Sequence, residues 1–298
     1  EEVGGITNAN WMDKASAGSA TIPIDGNNLY ASNNVSVTFV NEGVETVVDV
    51  PYGTAATISE PTKEAKNNFT YTFDKWVDSE GNEADLSNVT ENITVYATYT
   101  ETYTNPYTDV DMERWYADAV KYAAKYELMD GMTATTFEPN TETSRGMLVT
   151  VLYRIEGNPS VADLEDTPFT DVAGGRYYTD PIKWAYNNNV VNGMTETEFA
   201  PEKIVTREQL ATMVYRYADE VKGYDMEIGK LTTLGVFKDK NDISTFATTA
   251  VKWALDKGYV NGYEDGDDTY MKPQNGATRA EMMAILMRFL EDEHTPAE

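Results

Sequence analysis

Thr278-Arg279-Ala280-Glu281 opens the most regular stretch of this chain, and Thr206-Arg207-Glu208-Gln209 and Thr143-Ser144-Arg145-Gly146 echo it upstream. Counted from the arginine, apolar residues fall at +3, +6, +7 and +10 in every copy. They are Leu148, Val151, Leu152 and Ile155, then Leu210, Met213, Val214 and Tyr217, then Met282, Ile285, Leu286 and Phe289. The spacing predicts a helix with one apolar stripe in each copy. Three such helices can bury their stripes against one another.

Thr206 and Thr278 read as N-caps, with Gln209 and Glu281 completing capping boxes. Arg207 and Arg279 then fall in a first helical turn, where the macrodipole disfavours a cation by about 0.3–1 kcal/mol at an exposed site. In the first copy Ser144 takes the capping place and Met147 removes the box, so that helix start is expected to be weaker, and Gly146 weakens it further. The chain has only eight arginines and places three of them here. Two readings stand. A cation beside free helix N–H groups makes an anion site; alternatively, each arginine is structural, bonded to carbonyls or carboxylates of a neighbouring copy.

Working outward, a longer period appears. The phrases Tyr107-Thr108-Asp109-Val110, Phe169-Thr170-Asp171-Val172 and Val236-Phe237-Lys238-Asp239 precede the arginines by 36, 36 and 40 residues, counted from Asp109, Asp171 and Asp239. A short helix follows each, with Lys121-Tyr122, Lys183-Trp184 and Lys252-Trp253 at matching places. It stops at Asp130-Gly131, Asn192-Gly193 or Asn261-Gly262, where glycine is expected to supply a left-handed residue. Phe137, Phe199 or Met271 comes next, two residues before a proline. Trp115 and Tyr177 answer each other, with Thr245 and the adjacent Phe246 in the third copy.

This ordered set of phrases resembles the S-layer homology family over about residues 104–291, with motifs near 104–160, 166–222 and 234–291 in a domain expected over 104–298. The resemblance implies a mainly α, pseudo-threefold domain with a central three-helix bundle and grooves between the motifs. It further implies non-covalent anchoring to the cell wall of a Gram-positive-type bacterium, through a pyruvylated amino-sugar polymer linked to peptidoglycan. Arg145, Arg207 and Arg279 would meet the ketal carboxylate. Asp109, Asp171 and Asp239 are candidates for accepting sugar hydroxyls or fixing the arginine, or for a turn or N-cap role ahead of the short helix. Lys121, Lys183 and Lys252 are candidate groove contacts or solvated charges, and Trp184 and Trp253 candidate sugar platforms or core aromatics. Gly131, Gly193 and Gly262 are candidates for close ligand approach. The grooves around Arg207 and Arg279 fit the family pattern best. Arg154, Arg216 and Arg288, nine residues further on, sit about half a turn round the helix and read as structural pairs or solvent charges.

Residues 35–103 read as β structure, with alternation at Val35, Val37 and Phe39, at Val44, Thr46, Val48 and Val50, at Thr70–Phe73 with Trp76, and at Ile93, Val95, Ala97 and Tyr99. Lys63–Lys66 reads as a helical turn or a loop. The order of Pro51-Tyr52-Gly53, Phe73-x-x-Trp76, Glu80-Gly81 and Val89–Ala97 resembles the β-grasp-like repeat of bacterial surface proteins, the internalin B-repeat type. It implies a spacer module; Trp76 is expected in its core. Residues 1–34 read as a weakly structured lead-in or the end of a preceding module, with Trp11 packed somewhere. The expected class is therefore multidomain α+β.

Bulk composition narrows the function. The net charge of −27 argues against nucleic acid and anionic membranes as partners. There is no cysteine, which excludes thiol chemistry, and the single histidine, His294, lies in a polar tail. No apolar run is long enough for membrane insertion. The acidic loop Glu264–Asp268 lacks the order of a calcium hand, so neither metal nor cofactor is expected. Without a triad or a recognisable carboxylate pair the chain reads as non-enzymatic; the resemblance implies an extracellular protein, expected as a monomer in solution. The alternatives are a self-assembling surface-layer component and, behind it, a wall-glycan hydrolase.

Overall fold

The computed structural model describes residues 34–229 and 233–292; the expectations about residues 1–33, Trp11 and His294 lie outside them. The described chain divides into two compact units, residues 34–65 with 70–102, and residues 66–69 with 103–292.

The first unit is built on a four-stranded sheet of β1 (Asn34–Asn41), β2 (Val44–Pro51), β3 (Phe69–Val77) and β4 (Ile93–Tyr103), in the order β2-β1-β4-β3. Glu42 and Gly43 both take positive φ, 49° and 80°, which suits the two-residue turn of a twisted β1–β2 hairpin. β1 pairs antiparallel with β2 and parallel with β4, Phe39 facing Thr46 on one side and Val95 on the other. Val35, Val37 and Phe39 point into the core, as their alternation predicts. On β2 only Val50 is buried; Val44 is 68% exposed. The connection from β2 to β3 holds no helix, so Lys63–Lys66 is loop. Trp76 is half-buried and packs on Phe39 and Phe73, ring centroids 4.8 and 5.5 Å away.

The second unit holds the three copies. Their short helices are α1 (Ala117–Lys125), α3 (Thr179–Asn187) and α5 (Thr248–Asp256), and the arginine helices are α2 (Arg145–Ile155), α4 (Arg207–Arg216) and α6 (Arg279–Glu291). α4 continues into a π-turn over Tyr217–Val221. Each arginine helix begins where its caps predict. Ser144 accepts from the Met147 N–H, and Thr206 with Gln209 and Thr278 with Glu281 form complete capping boxes. The expected apolar stripes are buried, Ile155 alone remaining half-buried.

The copies are tied in a cycle by main chain. Thr143 N donates to Ala277 O, Ala277 N to Val205 O, and Val205 N back to Thr143 O, each at 2.9 Å. The first helical N–H groups, orphans within their own helices, are satisfied in the same rotation. Arg145 N and Gly146 N donate to Lys203 O and Pro201 O, Arg207 N and Glu208 N to Asn275 O and Pro273 O, and Arg279 N and Ala280 N to Thr141 O and Pro139 O. These N–H groups are thereby consumed by the fold. Gly146 also lets Tyr178 approach, since a Cβ there would lie 3.2 Å from its ring.

The third copy is longer. Its opening winds through 3-10 turns at Lys240–Asp242 and Thr245–Ala247, and a hairpin of β5 (Tyr263–Asp265) and β6 (Asp268–Tyr270) carries the acidic loop. Asp268 pairs with Lys238 at 2.9 Å. Buried Glu208 fastens the enlarged opening, accepting from Ser244 N (2.8 Å), Ser244 Oγ (2.7 Å) and Gln274 Nε2 (2.9 Å). The inserted residue ahead of α5 shifts the register, so that Phe246, not Thr245, stands two residues before the short helix like Trp115 and Tyr177. All three aromatics are exposed.

Candidate functional site

The repeated arginines turn away from their own helix ends and reach into the next copy. Arg145 donates through Nε to Phe199 O (2.9 Å) and through Nη2 to Asn192 O (3.0 Å). Arg207 does the same to Met271 O and Asn261 O, both at 3.1 Å. Arg279 closes the cycle on Phe137 O (2.8 Å) and Asp130 O (2.6 Å). A ring lies under each guanidinium: Phe199 at 4.5 Å, Tyr263 at 4.7 Å and Phe137 at 4.6 Å. In the third copy Met271 stands where the others have phenylalanine, and Tyr263 supplies the missing ring. All three arginines are buried. Burial pulls the Arg145 guanidinium down to about 10, with Arg216 adding to the effect, and also lowers that of Arg279. Their partners are mostly carbonyls, as the structural reading expects. The one carboxylate among them is Glu281, whose Oε1 takes Arg207 Nη1 at 3.1 Å.

The second arginine of each helix is expected about half a turn round from the first. It does leave its own helix's first arginine, but it thereby meets that of the preceding copy. Arg154 donates to Leu128 O (3.1 Å) and to Asp130 Oδ2 (3.3 Å), while Arg279 holds the Asp130 carbonyl. Asn192, its amide oriented by its partners, accepts from Arg216 at 3.2 Å on one side while its carbonyl accepts from Arg145 on the other. Arg288 donates to Tyr259 O at 3.0 Å and lines a cleft with Arg207. Helix periodicity within one element gives no sign of these pairs, because each is assembled from two copies.

That cleft is a candidate site. It encloses about 280 Å³ and is lined by Trp115, Arg207, Asn261, Gly262, Tyr263, Glu281 and Arg288, among others. Two guanidiniums face one carboxylate, so the cleft is cationic in a strongly acidic protein. Trp115, 61% exposed, offers a flat apolar wall. Tyr263 donates to Glu281, and its phenol is pushed up to about 12 by burial and by that bond, Arg207 opposing. Lys272 lies 4.4 Å from the Tyr263 ring. Trp115 was legible as a repeated aromatic, but nothing in its position marked it as a wall of the Arg207 cleft.

The other candidates are placed differently. Each repeated aspartate is a strut whose side chain ties down a distant loop and caps none of the short helices. Asp109 accepts from Phe137 N and Glu138 N, Asp171 from Phe199 N and Ala200 N, and Asp239 from Met271 N and Lys272 N, at 2.6–2.9 Å. The short helices have no side-chain cap at all; Tyr116, Tyr178 and Ala247 stand there. The aspartate clamps the residue before proline in a left-handed conformation, with φ of 58°, 59° and 51° at Glu138, Ala200 and Lys272.

Gly131, Gly193 and Gly262 are required for space, not for φ. A Cβ would lie 2.5, 2.2 and 2.5 Å from its nearest neighbour. The left-handed helix stops come four residues earlier, at Glu127, Asn189 and Gly258. Trp184 and Trp253 are buried against Tyr217 and Phe289 respectively, so they present no sugar platform. Lys183 pairs with Asp166 at 2.8 Å; Lys121 and Lys252 are half-buried on their helices. Among the described residues, no group of three acidic or histidine side chains is placed to hold a metal, and no helix is long and apolar enough to cross a membrane.

Comparison with known proteins adds a similarity to this geometry. The S-layer homology domain matches residues 106–146, 168–211 and 236–283. The chain is 31% identical over 183 residues to an endoglucanase of Bacillus sp. (strain KSM-635), covering 61% of this chain and 18% of that protein. It is 24% identical over 165 residues to a cellulosome-anchoring protein of Acetivibrio thermocellus, covering 55% and 35%. It is 25% identical over 178 residues to the surface-layer 125 kDa protein of Lysinibacillus sphaericus, covering 59% and 14%. The chain thus spans about a third or less of each of these relatives.

Proposed function

We propose that this chain, which carries three S-layer homology domains, anchors a surface protein non-covalently to the bacterial cell wall by binding an anionic, pyruvylated secondary polysaccharide. The observation that carries the reading is the Arg207–Arg288 cleft. It joins two cations, an exposed tryptophan and close-approaching backbone at Gly262, a set that suits a carboxylate-bearing sugar. Burial of the arginines strengthens their donors while the fold keeps them in place, so little reorganisation is needed on binding. The names of the cellulosome-anchoring and surface-layer relatives fit a wall-associated role.

The same reading makes the arginine helices a central three-helix bundle and the first unit a β-grasp-like spacer, with residues 104–298 as the anchoring domain. The protein is then extracellular, a monomer in solution and not itself an enzyme. The cleft supports binding over hydrolysis, because its one carboxylate, Glu281, is held by Arg207 and the Thr278 N–H and faces no second acid across the opening.

A pull-down with purified wall sacculi tests this, before and after chemical stripping of the secondary polymer. Retention before and loss after is the expected result. Binding that survives stripping rejects the polysaccharide as receptor.

A further inference from the structure

One helical position differs among the three copies in a way that bears on the clefts. The third residue of the arginine helix is Met147 in α2, Gln209 in α4 and Glu281 in α6. Glu281 contacts the arginine of the preceding copy, Arg207. Only the third places a charge there, and it places it on the guanidinium itself. Glu281 Oε1 takes Arg207 Nη1 and the Tyr263 hydroxyl, while Oε2 takes the Thr278 N–H at 2.9 Å. Arg207 Nε and Nη2 are already committed to Met271 O and Asn261 O. The Nη1 edge is therefore the edge left for an external anion, and Glu281 sits on it. Arg288, the other guanidinium of the cleft, donates to the Tyr259 carbonyl and lines the same space.

We infer that Glu281 is a built-in competitor: its carboxylate occupies the place on Arg207 that a ligand carboxylate takes, and so sets the affinity of this cleft. This deepens the anionic-polysaccharide reading and rests on it. A ligand anion exchanges with Glu281 at Arg207, and the displaced carboxylate keeps the Thr278 N–H through Oε2. The helix start then survives the exchange. The corresponding Met147 and Gln209 carry no negative charge. The residue at this position is thereby a specificity determinant for anions at the Arg207 cleft.

Glu281→Gln tests the inference, because the Thr206–Gln209 pair shows that glutamine completes the same capping box. The full chain is titrated calorimetrically with a synthetic pyruvylated amino-sugar, as wild type, Glu281→Gln, Trp115→Ala and the double variant, with the thermal midpoint of each recorded. Glu281→Gln is expected to bind about tenfold tighter, a gain of the size of one charge-assisted bond. Adding Trp115→Ala is expected to remove that gain. If Trp115→Ala weakens binding while a stably folded Glu281→Gln binds no tighter than wild type, the cleft is the site and the competitor role is overturned. If all four bind alike, or none binds, the anionic-ligand reading of the cleft fails and the inference falls with it.

Discussion

Arg279 lies 4.6 Å above the ring of Phe137 and donates to that same residue's carbonyl at 2.8 Å, joining the last copy of the repeat to the first. One side chain makes a cation–π contact, a charge-assisted hydrogen bond and, through Nη2, a second bond to Asp130. Removing it leaves buried carbonyls without donors. Arg279→Ala is expected to lower stability by about 3 kcal/mol or more. Arg279→Lys recovers only part of this, since an ammonium cannot fork between two carbonyls over a ring. Urea denaturation of the three proteins measures it.

Asp171 accepts two backbone N–H groups with its two oxygens. An asparagine has one acceptor, and its amide would turn N–H against N–H. Asp171→Asn is therefore expected to cost nearly as much as Asp171→Ala, about 2–4 kcal/mol in each case. If the two bonds contributed nothing, neither substitution would move the unfolding transition. Chemical unfolding midpoints separate the two outcomes.

Ala200 holds φ at 59° immediately before Pro201. A left-handed alanine costs roughly 1–2 kcal/mol, which glycine avoids at some expense in chain entropy. Ala200→Gly is expected to stabilise the protein by about 0.5–1 kcal/mol. A higher thermal midpoint by calorimetry is the predicted reading, and a lower one contradicts the strain.

High pH is expected to loosen the second unit. Burial, first among the causes, raises the phenols of Tyr122 and Tyr263 to about 12 from an ordinary 10.0, and it also raises those of Tyr217 and Tyr259. Between those values the folded protein holds protons that the unfolded chain has released. Stability is thus fully present below about pH 10 and falls as pH climbs toward 12. Tyrosinate absorbance followed alongside circular dichroism checks it: these tyrosines should ionise together with unfolding, not before it.

Much of this was legible in the sequence. The caps at Ser144, Thr206 and Thr278 and the stripes from Leu148, Leu210 and Met282 onward were local patterns, and local patterns survive in the folded chain. What was missed is non-local. Asp109, Asp171 and Asp239 looked like helix caps because a short helix follows them, yet their partners lie 28 or more residues downstream. Gly193 looked like a helix stop, while the carbonyls that exclude a side chain there belong to Thr195 and Glu198 and the ring to Phe169. The pairing of Arg207 with Arg288 depends on how two copies meet, which no single helix encodes.

The three main-chain bonds from Thr143 to Ala277, from Ala277 to Val205 and from Val205 to Thr143 admit no partial version. Excising any one copy severs two of the three, and the pair left behind keeps a single link with both its outer edges open. The number of copies is consequently a stoichiometry, comparable to that of a trimer whose subunits share one polypeptide. A lone copy expressed by itself could satisfy its edges only by gathering two more of its own kind.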